Sequence, residues 1–322
     1  MNKIQRFIAA LLATTAFGAV HGADFPTKPV RIVVPIGAGS SMDIVCRVLA
    51  QKLTEAWNQT VIVDNRAGAG GNFGADLVAR SAADGYNILF ASSSFSIAPS
   101  FYKKLSYDAL RDFDAVTQLS SRNNVLTVVP SSPVTSVKEL IALAKAKPGQ
   151  LSFGSGGGTG SSDQMVGELF KLMAGVDIVH VPYKSGPQAM NDLIGGQISI
   201  YMGGIPVQLP MIKAGKVRPL GTSGLKRSPQ LPDVPTVMES GVPDYEAYVW
   251  MGLLAPKGTP PAIIDRLQRE VTAVLAEDEV RRYMAGAGIE IVGSPPSEFG
   301  RFIRHEKEQW AKVIRDTGAK VD

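Results

Sequence analysis

The chain has 322 residues, 45% of them hydrophobic and 19% charged, a composition that builds a sizeable core and excludes a disordered or fibrous protein. At roughly 100–200 residues per domain, the length points to two domains. Lys and Arg number 33 against 29 Asp and Glu, but no basic cluster accompanies the excess, which argues against a nucleic-acid partner.

Met1–Arg6 is a short basic start, Phe7–Val20 an apolar run without charge, and Gly22 and Ala23 are small. That order is a secretory signal peptide over residues 1–22, cleaved near Gly22, with the mature chain exported to the periplasm. The run is shorter than the roughly 20 apolar residues that span a bilayer. No later segment reaches that length uninterrupted. One cysteine, Cys46, sits among apolar helix positions and reads as a small buried hydrophobe.

Strand and helix then alternate. Val30–Val34 reads as a buried strand, and Ser41–Trp57 as a helix with Ile44, Val45, Val48, Leu49 and Leu53 on one stripe. A strand at Val61–Val63, a helix near Gly74–Ser81 and a strand at Tyr86–Phe90 complete a parallel βαβαβ unit. A second unit follows, with strands at Val125–Val129, Leu151–Phe153, Ile178–Val181, Ile198–Tyr201 and Val217–Leu220. Its helices are Val137–Lys147, Ser161 to about Ala174, Pro187–Ile194 and Ile205–Ala214. Proline-rich segments lead to a strand at Ala247–Leu254 and two amphipathic helices, near Pro261–Ala276 and Ser297–Arg315. Arg111–Val129 reads as one or two strands running from the first unit into the second. With no long linker and a tail that must pack somewhere, the expectation is two α/β lobes: residues 24–120 plus 225–322, and residues 121–224. A cleft between lobes is the usual place for a small-molecule site.

Two loop-to-helix junctions look alike. Gly37-Ala38-Gly39-Ser40-Ser41-Met42-Asp43 places Asp43 three residues after Ser40, and Gly154–Gln164 places Gln164 three after Ser161. Both spacings are capping boxes. A helix start carries free N–H groups and a partial positive charge, and glycines let a guest approach that backbone. One such junction per lobe, facing across a cleft, would hold an anion without an arginine. Tyr183-Lys184-Ser185-Gly186-Pro187 repeats the idea, although Lys184 also reads simply as a solvated loop residue.

Other chemistries find little support. Gly154–Gly160 lacks the Gly-Lys-Ser/Thr ending of a phosphate loop, and Gly68–Gly74 misses the dinucleotide spacing. His180, at a strand end, reads as a satisfied structural histidine, and His305 lies on a charged helix face. No nucleophile elbow, zinc cluster or calcium loop is present. The expectation is a binding protein with no catalytic residues, metal or cofactor.

At these loops the sequence resembles the substrate-binding proteins of tripartite tricarboxylate transporters, the Bug (TctC-like) family. The likeness runs through Pro29–Asp43, Val63–Asn72, Ala83–Tyr86, His180–Lys184, Leu193–Gln197, Lys213–Lys216, Leu231–Thr236 and Trp250–Pro260. It implies an α/β, type II periplasmic-binding-protein fold: two α/β lobes with an interlobe ligand cleft that closes on the ligand. It also implies that one ligand carboxylate is held, partly through ordered waters, by Gly39, Ser40, Ser41 and Asp43 in one lobe and Ser155, Gly158, Thr159, Ser161 and Ser162 in the other.

The departures from the family bear on the rest of the ligand. Gln164 stands where a histidine is frequent, a second one is replaced in the region of Ser94 and Phe95, and a frequent Phe-Asp becomes Met202-Gly203-Gly204. The distal pocket then loses acidic groups and keeps apolar ones, Phe95, Met202 and Met42. Either the ligand is an aromatic carboxylate or dicarboxylate without an amine, or the distal contacts come from residues outside this set. The resulting expectation is a monomeric solute-binding protein that delivers a small organic carboxylate to membrane transporter subunits; the alternative is a ligand sensor for a membrane signalling receptor.

Overall fold

A computed structural model describes residues 25–317; the expected signal peptide lies outside them. The first strands are β1 (Val30–Val34), β2 (Val61–Asn65) and β3 (Asn87–Ser92), with helices α1 (Ser41–Trp57) and α2 (Asn72–Ala79) between them. β1 pairs in parallel with both β2 and β3. Covered by helices on both faces, β1 is buried at four of its five positions, which is why it reads as an apolar run rather than an alternation. Helix α3 (Ser93–Phe101) follows β3 directly.

Strand β4 (Phe113–Val128) is 16 residues long and belongs to two sheets. Its first part, Phe113–Asn123, runs antiparallel to β9 (Tyr248–Pro256), which also pairs with β3. Its last part, Asn124–Val128, pairs antiparallel with β7 (Ile200–Gly204) and β8 (Arg218–Thr222). Beyond β7 the second sheet continues in parallel through β5 (Ser152–Ser155) to β6 (Val179–Pro182). Helices α4 (Val137–Ala146), α5 (Ser162–Ala174), α6 (Gly186–Ile194) and α7 (Ile205–Lys213) connect these strands. A short β10 (Ile289–Ile291) pairs with β4 over Ser120–Arg122.

The tail carries α8 (Pro261–Ala276), α9 (Asp278–Gly286) and α10 (Pro296–Thr317). Helix α8 packs on α1 over the first sheet, where Ile263, Leu267 and Val271 join Val45, Leu49 and Leu53. Helix α10 reaches further: Phe299 and Ile303 belong to the first half's core, whereas Trp310, Val313 and Ile314 pack with Val166, Leu169 and Phe170 of α5 in the second. Between its two tryptophan partners, Glu306 accepts from Trp250 Nε1 at 3.1 Å and Trp310 Nε1 at 3.0 Å. Cys46 is fully buried in the first core, and burial raises its thiol pKa far above ordinary, so it is the inert packing residue expected.

The observed elements match the expected alternation, and the long crossing strand is one strand rather than two. Helices α3 and α9 and strand β10 are additions to the expected set.

Candidate functional site

The two helix starts share one local design. Gly39 (φ +78°) precedes Ser40, which caps α1, and the Ser40 Oγ accepts from the Asp43 N–H at 3.2 Å. Gly160 (φ +82°) precedes Ser161, which caps α5, and the Ser161 Oγ accepts from the Gln164 N–H at 3.2 Å. The third residue then closes each box in the reverse direction. Asp43 Oδ2 accepts from Gly39 N–H at 2.8 Å, and Gln164 Oε1 from Gly160 N–H at 2.7 Å. A positive φ just before each cap is what turns the chain back over the helix end, and glycine takes it without strain.

The two boxes differ in charge. Asp43 is 2% exposed, and burial alone would raise its pKa. Arg47 Nε at 3.0 Å, the Gly39 N–H and Asn65 Nδ2 at 2.9 Å outweigh that and hold the carboxyl below its ordinary range. Asp43 is therefore saturated by its own half and leaves its neighbouring backbone N–H groups as the available donors. Gln164 does the same job without a charge. Ser41 and Ser162 are the first residues of their helices, half-buried and buried respectively.

Contacts between the halves bring these loops together. A methyl group placed on Gly157 would sit 3.8 Å from Ile36 Cδ1 of the first loop. Tyr102, at the end of α3, donates its hydroxyl to the Thr159 carbonyl at 3.2 Å. The same hydroxyl fills the space a side chain would need on Gly70 or Gly160. Gly158 N–H is used within its own half, donating to the Tyr183 carbonyl at 2.8 Å, while the side chain of Thr159 stays exposed at the tip. Lys184 is exposed on the third loop, and Ser185 caps α6 without a side-chain hydrogen bond.

Two further expected site residues flank the loops. Ser155 ends β5 fully buried, and its hydroxyl is 2.8 Å from Nε2 of His180 on the neighbouring strand. Burial, with Lys171 adding to it, lowers the His180 pKa to about 4, so the ring is a neutral partner for that hydroxyl. Ser94 sits in the first turn of α3 with its Oγ 3.0 Å from that of Ser92.

Phe95 and Met202 do not join the loops. Phe95 is 5% exposed and packs against Tyr107 and Phe113 in the first half's core. Met202 is 2% exposed in the second half's core with Leu126 and Phe153, and Met42 is buried beneath α1. Met42, Met202 and Phe95 thus belong to three separate core clusters; in β7, Met202 faces α5, and Tyr201 and Gly203 face the other side.

The floor of the crossing is polar instead. Arg122 on β4, 8% exposed, donates through NH2 to Asp163 Oδ1 at 2.9 Å, and Asp163 lies in the first turn of α5. Its NH1 bonds Asn124 Oδ1, and Asn124 Nδ2 reaches Asp163 at 3.0 Å. This cluster was missed in the sequence, though a signal was there: Gln118, Ser120, Arg122 and Asn124 recur at every second position of a strand, the spacing of one face, and all four are buried.

A groove of about 540 Å³, lined by residues such as Leu110, Asp114, Lys257 and Arg304, shares no residue with either loop. Among the described residues no helix is long and apolar enough to cross a membrane, and no group of three or more His, Cys, Asp or Glu is placed to hold a metal.

Comparison with known proteins gives a consistent result. Residues 45–319 match the family described as "Tripartite tricarboxylate transporter family receptor". The chain is 37% identical over 324 residues to protein BugT of Bordetella pertussis, covering 100% of this chain and 99% of BugT. The structure of R. palustris Rpa4515 with adipate is similar at a TM-score of 0.85 and 36% identity, over 92% of this chain and 99% of that one. The structure of the periplasmic binding protein BugD is similar at 0.84 and 33% identity, over 92% and 99%.

Proposed function

The chain belongs to the tripartite tricarboxylate transporter receptor family, a family of solute-binding proteins rather than enzymes, and on that premise we propose that it captures a small organic carboxylate between its two halves and delivers it to membrane transporter subunits. The observation that carries this reading is the matched pair of helix starts, one from each half, whose loops meet at Ile36 and Gly157. Each start contributes unpaired N–H groups and about half a positive charge. Together they neutralise a carboxylate held between Gly39–Ser41 and Gly158–Ser162, with ordered waters filling the remaining positions.

Adipate in the Rpa4515 structure favours a dicarboxylate within this class. The lobes that close on it are residues 24–120 with 225–322, and residues 121–224. The protein acts as a monomer in the periplasm after loss of residues 1–22. Affinity for the closed arrangement over the open one is what lets the ligand shift the balance between them.

Binding is tested by thermal shift and calorimetry with adipate and other C4–C6 dicarboxylates, together with aromatic carboxylates and amino acids. Ser41→Leu or Thr159→Leu should abolish ligand-induced stabilisation while the apo protein melts as before. Unchanged affinity in both variants would remove the helix starts from the site.

A further inference from the structure

The groove at the start of β4 is walled by the first half alone, its lining falling within residues 109–115 and 254–304. At about 540 Å³ it lies within the size range of small-molecule sites. One face of α10, carrying Ser297, Gly300, Arg301 and Arg304 at helical spacing, forms one wall, and the start of α8 with Asp265 forms another. Leu110, Phe113, Ala115 and Ile264 make the apolar part. Leu110 is 38% exposed, so part of that apolar lining stands in water.

Two observations mark the groove as more than a crease between elements. The first concerns charge. Lys257 is taken by Asp114 at 2.6 Å, but no side-chain hydrogen bond or ion pair to the described residues engages Arg301 or Arg304. Three residues apart on one helix, the two guanidinium groups are neighbours whose like charges repel, and an anion between them relieves that repulsion. The second concerns Gly300. A glycine inside a helix weakens it relative to alanine. In α2 and α5 packing demands one, because a methyl group would lie 2.9 Å from Pro35 at Gly74 and 2.3 Å from Phe153 at Gly167. At Gly300 the methyl would meet nothing closer than Ala115 Cβ at 3.8 Å and Arg304 Nη1 at 3.9 Å. Packing therefore does not explain Gly300; its missing side chain keeps the groove open between the arginines and the apolar lining.

We propose that this groove is a second ligand site, for a monoanionic amphiphile whose carboxylate, sulfate or phosphate-ester head rests on Arg301 and Arg304 and whose tail covers Leu110, Phe113, Ala115 and Ile264. Guanidinium groups suit such a head because each offers paired N–H donors in one plane. Asp265, unpaired on the α8 wall, repels a second acidic group, so the site discriminates against dicarboxylates. No residue of the second half takes part, so occupancy does not require the halves to close and is independent of carboxylate capture between them. A free fatty acid and an anionic lipid both carry this head and tail, and the test separates them.

Octanoate and adipate are titrated by calorimetry into the mature protein and into Gly300→Leu, Arg304→Gln and Ser41→Leu. Gly300→Leu fills the groove and Arg304→Gln removes half of the head site. Each should weaken octanoate about tenfold or more, as for a lost hydrogen bond to a charged group, and leave adipate unchanged. Ser41→Leu, at the first interlobe loop, should leave octanoate unchanged. Gly300→Ala should melt at or above the parent temperature, and a lower one would overturn the reading of Gly300. Sedimentation with phosphatidylglycerol vesicles, parent against Arg304→Gln, identifies the source. Octanoate binding without vesicle binding assigns a free acid, and vesicle binding that Arg304→Gln abolishes assigns a lipid. Absence of both in the parent, octanoate binding that survives both groove variants, or its loss in Ser41→Leu overturns the proposal.

Discussion

Replacing Gln164 by glutamate would separate folding from binding at the second helix start. The side chain keeps its shape, and its carboxylate can still accept from the Gly160 N–H that Gln164 Oε1 reaches at 2.7 Å. An acidic group in a first turn stabilises a helix by about 0.3–1 kcal/mol. Burial offsets that gain, because Gln164 is 6% exposed. The apo protein should therefore melt within a few degrees of the parent. Binding should suffer: a carboxylate roughly 6 Å from the ligand's own costs about 3 kcal/mol at an effective dielectric of about 20, or on the order of a hundredfold in affinity. The first helix start already carries such a charge in Asp43, but there Arg47 neutralises it at 3.0 Å; Gln164 has no counterpart to that arginine in its own hydrogen bonds. Calorimetry with adipate between pH 5 and 8, beside apo melts by circular dichroism, measures both quantities. Because burial raises the pKa of the new carboxyl, the loss of affinity should deepen as pH rises. Unchanged affinity across that range, with an intact fold, would refute the idea that the α5 start faces an anion.

Two further expectations follow from groups near the site. Tyr102→Phe removes the hydroxyl bonded to the Thr159 carbonyl; since that contact joins the halves, affinity should drop a few-fold, about 0.5–1.5 kcal/mol, with little change in the apo melting temperature, and an unaltered affinity would show that the contact does not bias closure. His180 has a folded-state pKa near 4, below the ordinary 6.5, so the unfolded chain binds the extra proton between those values. Its contribution to stability is complete above about pH 6.5 and falls as the pH drops toward 4. For this half-buried ring the loss should amount to roughly 2 kcal/mol. Urea unfolding at pH 7.5 and 5.0 should show that slope in the parent and a smaller one in His180→Gln; equal slopes would contradict it.

What could be read from the sequence was what depends on near neighbours. The caps at Ser40 and Ser161 are three-residue patterns, and each appears in the structure with its reciprocal bond. Strand β1 and helix α1 were legible for the same reason, since burial on both faces and along one stripe leaves a periodic trace. Helix α3 was not, because its Ser-Ser-Phe-Ser-Ile-Ala-Pro-Ser-Phe sequence has little helical preference and relies on tertiary packing, including the Ser93 hydroxyl that accepts from Trp250 N–H at 3.0 Å. Four of the nine residues of helix α9 are charged, and only Val280 and Met284 turn inward.

The two faces of β7 were illegible for a different reason. Met202 and Gly203 are adjacent, and only the register of β7 against β4 decides which of them faces the core. Likewise, nothing local to Arg122 announces a partner 41 positions away at Asp163.

Strand β4 leaves one sheet and enters the other without a break, so the joint between the halves is a hydrogen-bonded ribbon rather than slack cord. Such a ribbon flexes like a leaf spring: displacement on one side is met by restoring force on the other, and the path of movement is narrow. Neither portion keeps a finished sheet once the ribbon is cut, because each would be stripped of a partner for its own edge. The molecule should accordingly unfold in a single cooperative step, even though its core is divided between two sheets.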